Sequence, residues 1–403
     1  MRIIIQKFGG TSLSTKQAKE HVISHIKRER DNGYAVVVVV SAMGRSPEPY
    51  ATDSLLQLVD KYSNCIDYKE LDLLMSCGET ISAVSFAFAL REAGIPAVAF
   101  TAAEAGIETD AEFGSAKIVA IKPDQIIAQL EKGRVVIVTG FQGRTSNGDI
   151  TTLGRGGSDT SATALGAALK AEMVDIYTDV NGVLTADPRL VNEAKPITQV
   201  SYAEICHMAR EGAKVIHPRA VEIAQQARIP MRIRSTFTED EGTLVQDYEW
   251  MHNEHYILDR HVTGIAHVSG VAQIIASQTK TSVETLVIFE TLAENGISVD
   301  FINVNRQSAI FTVSQQQAER AMELLKQQGL DVQVRVKCAK ISIIGGGMNG
   351  QPGVMAKIIK ALSKKNISIL QSADSNAAIW ILVAEQDMVE AMVALHAMFD
   401  LHR

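Results

Sequence analysis

The chain contains little cysteine, and its cysteines form no recognisable motif. Cys65, Cys77, Cys206 and Cys338 are the four cysteines among 403 residues, and no two of them have C-x-x-C spacing. The sequence therefore indicates neither a zinc site nor a disulfide framework. We expect buried or incidental thiols and predict no metal-binding residues.

Long apolar runs, a targeting segment and an excess of positive charge are also missing. No apolar run approaches the roughly 20 residues that span a bilayer, and the N-terminus enters a strand pattern without the apolar core of a signal peptide. The formal net charge of -7 gives no general attraction to nucleic acid or to an anionic membrane. We therefore predict a cytoplasmic protein that binds neither, with small molecules or proteins as partners.

The overall composition, with 46% hydrophobic and 21% charged residues, is typical of a soluble globular protein. The length of 403 residues suggests about two to three domains. In its first part, short β-branched runs alternate with segments of helical period. This alternation predicts a parallel sheet covered by helices. We expect strands near residues 3–5, 36–40, 135–138, 174–177 and 229–233, and helices near 18–26, 71–90, 158–171 and 202–226.

The pattern breaks at the polar stretch 239–261, which predicts a linker. His252 and His255 have H-x-x-H spacing there, but no third ligand accompanies them, so a solvated linker is favoured over a metal site. After it, the chain repeats at an offset of about 70 residues. Ile288, Leu292, Ile297, Ser298, Phe311, Val313 and Met322 recur as Ile358, Leu362, Ile367, Ser368, Ile381, Val383 and Met392. Each copy predicts a small α+β module of strand, helix, strand, strand, helix and a last strand, suited to sensing or assembly.

The first candidate for chemistry is IIIQKFGGTS at residues 3–12. Lys7, Gly9 and Gly10 come at the carboxyl end of the first strand, where open α/β sheets bind ligands. The glycines would let backbone N–H groups approach an anion, and the next helix would direct its positive end there. No Walker A motif is present, and K-x-G-G alone fits a tight turn equally well.

A second glycine-rich element, TLGRGGSDTSATALGAAL, occupies residues 152–169 and leads into a helix. Arg155 supplies a fork of donors among glycines, and Ser158 or Asp159 is expected to cap the helix. An arginine in such a loop favours an anion site over a capped helix alone.

Further polar residues follow other predicted strands. Ser41, Gly44 and Thr52 follow one strand, and Thr178 and Asp179 follow another. Glu79 lies in an apolar helical setting; opposite Arg155, it could complete a pair that recognises the ammonium and carboxylate of an amino acid. Together with Arg189 and Lys214, these residues lie on loops that converge on one edge if the sheet is parallel.

Taken together, the motifs resemble those of aspartokinases in order and spacing. They are QKFGGTS, VVVVSAMG, SCGETIS, GFQG, TTLGRGGSDTSA, YTDVNGVLTADPR, GAKVIHPRAVE and RIRSTF, and the C-terminal repeats resemble paired ACT domains. The resemblance covers essentially the whole chain and is closest to the diaminopimelate-sensitive aspartokinases of bacilli. It implies a parallel-rich α/β amino-acid-kinase domain at 1–245, a linker at 246–262 and α+β ACT domains at 263–336 and 337–403, with dimerisation through the ACT domains.

The resemblance also implies a reaction and its residues. The γ-phosphoryl group of ATP, with Mg²⁺, would pass to the side-chain carboxylate of L-aspartate, giving 4-phospho-L-aspartate. Lys7 would stabilise this group and Asp179 would help to orient Lys7. Glu79 would bind the substrate ammonium and Arg155 the α-carboxylate, with Thr52 and Ser158 completing the site. The implied nucleotide residues are Lys7, Phe8, Gly9, Gly10, Ser41, Thr178, Asp179, Leu184, Arg189 and Lys214.

The chain departs from the family pattern in two places. Leu184 replaces a tyrosine common in the GVYTADPR segment, and the first ACT copy lacks at 276–286 the Pro-Gly turn that the second keeps at 346–355. The resemblance implies that an amino-acid effector, which could be meso-diaminopimelate, lysine or threonine, binds in this region. The implied effector residues are Ser298, Asp300, Asn303 and Gln371.

Two alternatives fit parts of the pattern. Another amino-acid kinase, acting on acetylglutamate, glutamate or carbamate, would need neither the Glu79 and Arg155 pair nor the ACT repeats. A noncatalytic amino-acid sensor would not need to keep four charged residues together, namely Lys7, Arg155, Asp179 and Lys214. Phosphorylation of aspartate rather than glutamate would separate the first alternative, and binding of ATP the second.

Overall fold

The computed structural model describes residues 1–213, 215–247, 262–278, 285–305, 308–346, 348 and 352–403. Contacts divide the chain into two compact units. The described parts of Met1–Val183, Pro196–Arg210 and Lys214–Ile257 form the first unit, and those of Leu184–Lys195, Glu211–Ala213 and Leu258–Arg403 form the second. Two short segments of the predicted kinase domain therefore belong to the second unit. The predicted domain boundaries stay a prediction.

The described residues of the first unit form twelve short strands in two sheets. The larger sheet has the order β10-β12-β11-β9-β1-β2-β6-β3. All its pairs are parallel except β11 with β12, so the predicted parallel-rich sheet is confirmed. The smaller sheet has the order β5-β4-β7-β8. The strands are β1 (Ile3–Phe8), β2 (Ala35–Val40), β3 (Ala97–Phe100), β4 (Ile107–Thr109), β5 (Ile118–Ile121), β6 (Val135–Thr139), β7 (Gln142–Arg144), β8 (Ile150–Thr152), β9 (Met173–Thr178), β10 (Gln199–Ser201), β11 (Met231–Ser235) and β12 (Thr243–Gln246).

Helices cover the larger sheet. The α-helices of the first unit are α1 (Lys16–Asp31), α2 (Thr52–Gln57), α3 (Tyr68–Glu92), α4 (Asp124–Leu130), α5 (Gly157–Leu169), α6 (Tyr202–Arg210) and α7 (Pro218–Ala227). The continuous valines of β2 are buried because helices lie on both faces of a parallel sheet. The α1 helix starts where the Thr15 side chain accepts the N–H of Ala18.

The prediction of one helix over 202–226 is wrong, because α6 and α7 are separate. Pro218 occupies the first turn of α7, where its missing N–H leaves no hydrogen bond unmade. Before it, Gly212 has a φ of +108°, and a Cβ there would lie 2.2 Å from the carbonyl oxygen of His267. A β-carbon cannot be accommodated at that position, so the helical period that runs through both segments is interrupted.

Helix α3 is long and apolar enough to cross a membrane by length and composition alone. Half of its most apolar stretch is buried inside the protein. It packs against β3, β6 and β8 and buries the carboxyl side chains of Asp72 and Glu79. These features are those of the core helix of an α/β domain.

The predicted linker is wrong at its start, since β12 lies within the polar stretch 239–261. Met231 to Ile233 of β11 pair with Val245 to Thr243 of β12 in antiparallel register. The buried Thr243 and Val245 supply the apolar alternation that the surrounding charges obscured. Residues 248–261, including His252 and His255, lie outside the described residues.

The second unit has one antiparallel sheet of six strands in the order β14-β15-β13-β16-β18-β17. Its strands are β13 (Gly264–Gln278), β14 (Asp300–Val304), β15 (Ser308–Ser314), β16 (Leu330–Ile344), β17 (Gln371–Asp374) and β18 (Ala378–Ala384). Its α-helices are α8 (Thr285–Glu294), α9 (Ala318–Gln327), α10 (Val354–Ser363) and α11 (Met388–Met398). Strands β15 and β18 start and end 70 residues apart, which confirms the repeat.

The last strand predicted for the second copy is wrong, because that copy ends in α11. Instead, Gly264 to Val268 of β13 pair with Ile344 to Lys340 of β16. Both strands are 15 residues long and take part in both copies, with β16 crossing the predicted boundary at 336/337. Each copy therefore depends on the other for a complete sheet.

Candidate active site

The first unit gathers its candidate residues at one edge of the larger sheet. Strands β1, β2, β6 and β9 are parallel neighbours, so their carboxyl ends lie at the same edge. Lys7 lies near the end of β1, in register with Val39 of β2 and Ile176 of β9. This edge is where a parallel sheet binds its ligand.

Lys7 is held by an ion pair. Its Nζ lies 2.7 Å from Oδ1 of Asp159, and the two side chains are only 13% and 12% exposed. Attraction between opposite charges is stronger in such a place than in water, so the pair fixes the position of the ammonium group. Asp179 pairs with Arg45 at 3.0 Å, and its predicted role in orienting Lys7 stays a prediction.

The glycine-rich loop turns sharply into α5. Gly156 precedes the helix with a φ of +67°, and a Cβ there would lie 2.1 Å from Cβ of His217. The predicted cap by Ser158 or Asp159 is wrong, because no side chain caps this helix and both residues lie inside its first turn. An acidic side chain in the first turn interacts favourably with the positive end of a helix. Asp159 is thus held by both α5 and Lys7.

Gly9 and Gly10 differ in their surroundings. The Gly44 N–H donates to the carbonyl oxygen of Gly10 at 3.0 Å, where the loops after β1 and β2 cross. A Cβ on Gly10 would lie 2.5 Å from the carbonyl oxygen of Ala42, whereas one on Gly9 would approach nothing closer than Nζ of Lys7 at 3.9 Å. Gly10 therefore permits two loops to pack, and Gly9 leaves room beside Lys7.

Gly10→Ala is expected to lower the midpoint of thermal unfolding, because its methyl group would overlap backbone that cannot rotate away. Overpacking of this kind costs typically about 1 to 3 kcal/mol. Gly9→Ala is the matched control: its φ of -73° suits alanine, so we expect a midpoint close to that of the unsubstituted protein. Equal destabilisation by both substitutions would contradict the conclusion that Gly10, but not Gly9, permits the two loops to pack.

Glu79 is a buried carboxylate in which one of the two oxygens accepts a hydrogen bond. The preceding Gly78 lets α3 approach the loop after β2, since a Cβ there would lie 2.8 Å from Cβ of Ala42. Oε1 of Glu79 accepts the Ala42 N–H at 3.0 Å, while the buried Oε2 has no hydrogen-bond partner among the described residues. Burial raises the pKa of Glu79 to about 7, and the hydrogen bond from the Ala42 N–H opposes this increase. A cation bound at Oε2 would satisfy the oxygen and favour the charged form.

The other predicted substrate residues lie on neighbouring elements. Arg155 is exposed in the loop before α5, and Thr52 is the half-buried first residue of α2. Ser158 is buried beside Gly140, whose Cβ would lie 2.9 Å from the Ser158 hydroxyl. Within the part of the chain that the structure describes, Glu79 and Arg155 form no ion pair, which leaves both charges available to a ligand.

Most of the predicted nucleotide residues lie at the same sheet edge. The N–H of Ser41 donates to the carbonyl oxygen of Phe8 at 3.2 Å, and the Thr178 hydroxyl donates to Asp179 at 3.1 Å. The ring of Phe8 is fully buried and stacks on Tyr177, so only its backbone could contact a nucleotide.

Three predicted nucleotide residues remain. Leu184 and Arg189 belong to the second unit, where the exposed Arg189 pairs with Asp187 at 2.7 Å. This guanidinium lowers the pKa of Asp187. Lys214 lies outside the described residues.

In the second unit, Asp300 belongs to a chain of charges. Its Oδ2 lies 2.5 Å from Nζ of Lys340, and the same Nζ lies 2.7 Å from Oε2 of Glu211. The Ser342 hydroxyl also donates to Glu211 at 3.0 Å. The side chains of Lys340 and Glu211 are about nine-tenths buried, and that of Asp300 is 66% exposed. Asp300 is thus the accessible end of a largely buried network.

Gln371 joins the region of Asp300 through the backbone. Its Nε2 donates to the carbonyl oxygen of Phe301 at 2.5 Å, and its Oε1 accepts Nε2 of Gln273 at 3.0 Å. Two of the four predicted effector residues therefore lie near each other, although β14 and β17 are opposite ends of the sheet order. Ser298 and Asn303 are exposed.

Comparison of the chain with known proteins identifies its family. The amino acid kinase family matches residues 2–235, and an ACT domain matches residues 333–397. Aspartokinase 1 of Bacillus subtilis is 50% identical over 100% of both chains. The chain belongs to the aspartokinase family. Aspartokinase of Geobacillus stearothermophilus is 41% identical, over 100% of this chain and 98% of its own.

A solved structure supports the same membership. Aspartokinase III of E. coli, crystallised with aspartate and ADP, aligns with a TM-score of 0.79 at 26% identity, over 98% of this chain and 99% of that one. The predicted fold, an amino-acid-kinase domain with ACT architecture, is confirmed. As an aspartokinase the chain is an enzyme, so the noncatalytic sensor and the other amino-acid kinases are excluded.

Sequence reasoning missed two residues that hold the loop before α5 in place. Asp72 is buried in α3, where its carboxylate accepts the Thr152 N–H at 2.7 Å and the Gly114 N–H at 2.9 Å. Arg219 donates to the carbonyl oxygen of Leu153 at 2.9 Å. Both hold the start of the glycine-rich loop. An acid in an apolar helix, seven residues before Glu79, was a signal that could have identified Asp72.

Proposed function

We propose that this aspartokinase binds L-aspartate between Glu79 and Arg155 and transfers the γ-phosphoryl group of ATP to its side-chain carboxylate at Lys7. The unpartnered Oε2 of Glu79 carries the proposal, because a buried carboxylate oxygen without a donor fits an ammonium group. The E. coli relative was crystallised with aspartate and ADP, which supports the same ligands here. The product would be 4-phospho-L-aspartate.

The two ends of the amino acid would be read by opposite charges. Glu79 accepts the ammonium, and Arg155, on a loop held by Asp72, provides two parallel donors for the α-carboxylate. Ser158 and Thr52 offer hydroxyl groups to the remaining oxygens. A substrate held at both ends presents its side chain at one distance, which favours aspartate over the longer glutamate.

The transfer itself needs alignment and charge neutralisation. The attacking carboxylate is already ionised, so no general base is required. Lys7 is positioned by Asp159 and directs its charge at the transferring oxygens, and the nearby start of α5 adds a partial positive charge. Catalysis would thus depend on electrostatic stabilisation more than on proton transfer.

The nucleotide would lie along the loops after β1, β2 and β9. Gly9, Gly10, Ser41 and the Phe8 backbone suit phosphates, and Thr178, with Leu184, Arg189 and Lys214, would complete the site. Mg²⁺ prefers one or two carboxylates beside phosphate oxygens, and the exposed Asp179 has that donor chemistry. Mg²⁺ bound there would neutralise phosphate charge.

A direct assay tests the proposal. With MgATP and hydroxylamine, which traps an acyl phosphate as a hydroxamate, we expect turnover with L-aspartate and little with L-glutamate. Glu79→Gln and Arg155→Met should each raise the KM for aspartate and leave that for ATP close to its original value. An unchanged KM for aspartate in both variants would place the substrate elsewhere.

The second unit is proposed to bind an amino-acid effector at Asp300, beside Ser298, Asn303 and Gln371, and to form the contact of a homodimer. E. coli aspartokinase III was also crystallised with lysine and aspartate in its T-state. Inhibition assays with meso-diaminopimelate, lysine and threonine would identify the effector. We also propose that the enzyme is cytoplasmic.

Asp300→Asn is expected to relieve inhibition by that effector and to leave uninhibited turnover within about twofold. The exposed carboxylate would no longer attract an ammonium, whereas Lys340 would keep its pair with the buried Glu211. Steady-state rates over an effector titration measure this. Unaltered inhibition in Asp300→Asn, Ser298→Ala and Asn303→Ala would contradict the location.

A further inference from the structure

The second unit contains a polar cluster that the kinase reaction does not use. Helix α11 ends at Met398, and the chain turns at Asp400, which has a φ of +53°. This turn returns His402 to α11, where its ring centre lies 6.5 Å from that of His396. Glu193 completes the cluster, and one potential ligand atom from each of the three residues lies within 4.8 Å of the other two.

The segment that carries Glu193 is firmly attached to α11. Ala186 and Val191 belong to the buried core that also contains Met392 and Leu395. The Thr185 N–H donates to the carbonyl oxygen of Lys195 at 2.9 Å and closes the segment into a loop. Glu193 is thus presented to α11 by a packed structure.

The two imidazoles are constrained and in part unsatisfied. His396 is 1% exposed, and its Nε2 lies 2.9 Å from the Thr185 hydroxyl, which fixes the ring. Nδ1 of His402 is buried and has no hydrogen-bond partner among the described residues. A buried ring nitrogen without a partner is costly, and a metal ion supplies one.

The donor set selects a class of ion. Two neutral imidazoles and one carboxylate suit borderline transition metals such as Zn²⁺, whereas Mg²⁺ and Ca²⁺ prefer oxygen ligands alone. Zn²⁺ takes ligands at about 2.0 to 2.2 Å, so small side-chain movements would bring the three donors onto one ion.

We propose that Glu193, His396 and His402 bind one Zn²⁺-class ion. The ion would connect the loop 185–195, the last helix and the C-terminal turn of the second unit. The sequence predicted no metal-binding residues. Glu193, His396 and His402 could not be recognised as one set of ligands there, because they are separated by up to 209 positions.

Competition with a chromogenic Zn²⁺ chelator tests the site on the full-length enzyme, without nucleotide or Mg²⁺. We expect one Zn²⁺ per chain, with affinity lowered at least about tenfold in His402→Ala and in Glu193→Gln. His396→Ala removes a buried side chain and could unfold the unit, so those two variants decide the outcome. Circular dichroism should show both folded.

Two control variants separate this site from other possible ligands. His252→Ala/His255→Ala removes the H-x-x-H pair, and Cys65→Ser/Cys77→Ser removes the exposed thiols. Both should bind Zn²⁺ with unchanged affinity, and bound Co²⁺ should show no thiolate charge-transfer band. Absence of stoichiometric binding, binding that persists in His402→Ala and Glu193→Gln, or binding lost in either control would overturn the proposal.

Discussion

Lys7→Ala is expected to lower kcat by about 10²- to 10³-fold, as loss of one preorganised transition-state donor does in other enzymes. Lys7 lies at the carboxyl end of β1 with its charge fixed 2.7 Å from Asp159. The KM for aspartate should change little, because the amino acid is held by Glu79 and Arg155 in this account. Hydroxamate formation at saturating MgATP and aspartate measures the effect.

Two variants separate catalysis from folding. Lys7→Ala leaves Asp159 without its partner and could destabilise the site, so Lys7→Arg provides a variant that keeps the pair. We expect Lys7→Arg to unfold at the same temperature as the unsubstituted enzyme and to remain strongly impaired. Asp159→Asn keeps the ammonium and releases its anchor, so a smaller loss of about tenfold is expected. Near-normal turnover in Lys7→Ala would contradict the role of Lys7.

Glu79→Gln is expected to raise the KM for aspartate by about 100-fold or more, because the amide presents a neutral group where the carboxylate meets the substrate ammonium. Loss of one partner of a buried charge pair costs about 2 to 5 kcal/mol, which is the range required. Burial raises the pKa of Glu79 to about 7, because the charged carboxylate has no cation beside it in the free enzyme. A bound ammonium group would stabilise that charge. Steady-state kinetics with varied aspartate measure the change.

The ionisation of Glu79 also predicts how the affinity for aspartate changes with pH. Only ionised Glu79 binds the ammonium, and its pKa in the free enzyme is about 7. Apparent affinity for aspartate should therefore be complete near pH 8 and fall on acidification, by about tenfold at pH 6. Glu79→Gln should show a weak affinity that does not vary over this range. An equal slope in both enzymes would assign the titration to another group.

The larger sheet could be predicted from sequence because its signal is local. The valines of β2 form a continuous β-branched run, and such a run is typical of a strand buried on both faces. The break between α6 and α7 could not be predicted in the same way. It depends on the carbonyl of His267, 55 positions from Gly212, which closes the space that a side chain would need.

The candidate site shows the same difference between local sequence signals and contacts between distant residues. Lys7, Glu79 and Arg155 could be selected because their residue types suit charged ligands and their motifs are local. The partner of Lys7 could not, because Asp159 and Asp179 both follow glycine-rich or strand-end sequences and only folding decides which is nearer. Asp72 holds Thr152 from 80 positions away, so its role became evident only from the hydrogen bonds.

The number of protons released when aspartate binds tests most directly whether Glu79 binds the substrate ammonium. Isothermal titration of the enzyme saturated with ADP, in pH 7 buffers of different ionisation enthalpy, measures that number. Because the pKa of Glu79 is about 7 before binding and falls beside an ammonium, release of about half a proton is expected, declining toward zero at pH 8.5. Binding of aspartate at pH 7 without proton release would contradict a substrate ammonium on Glu79.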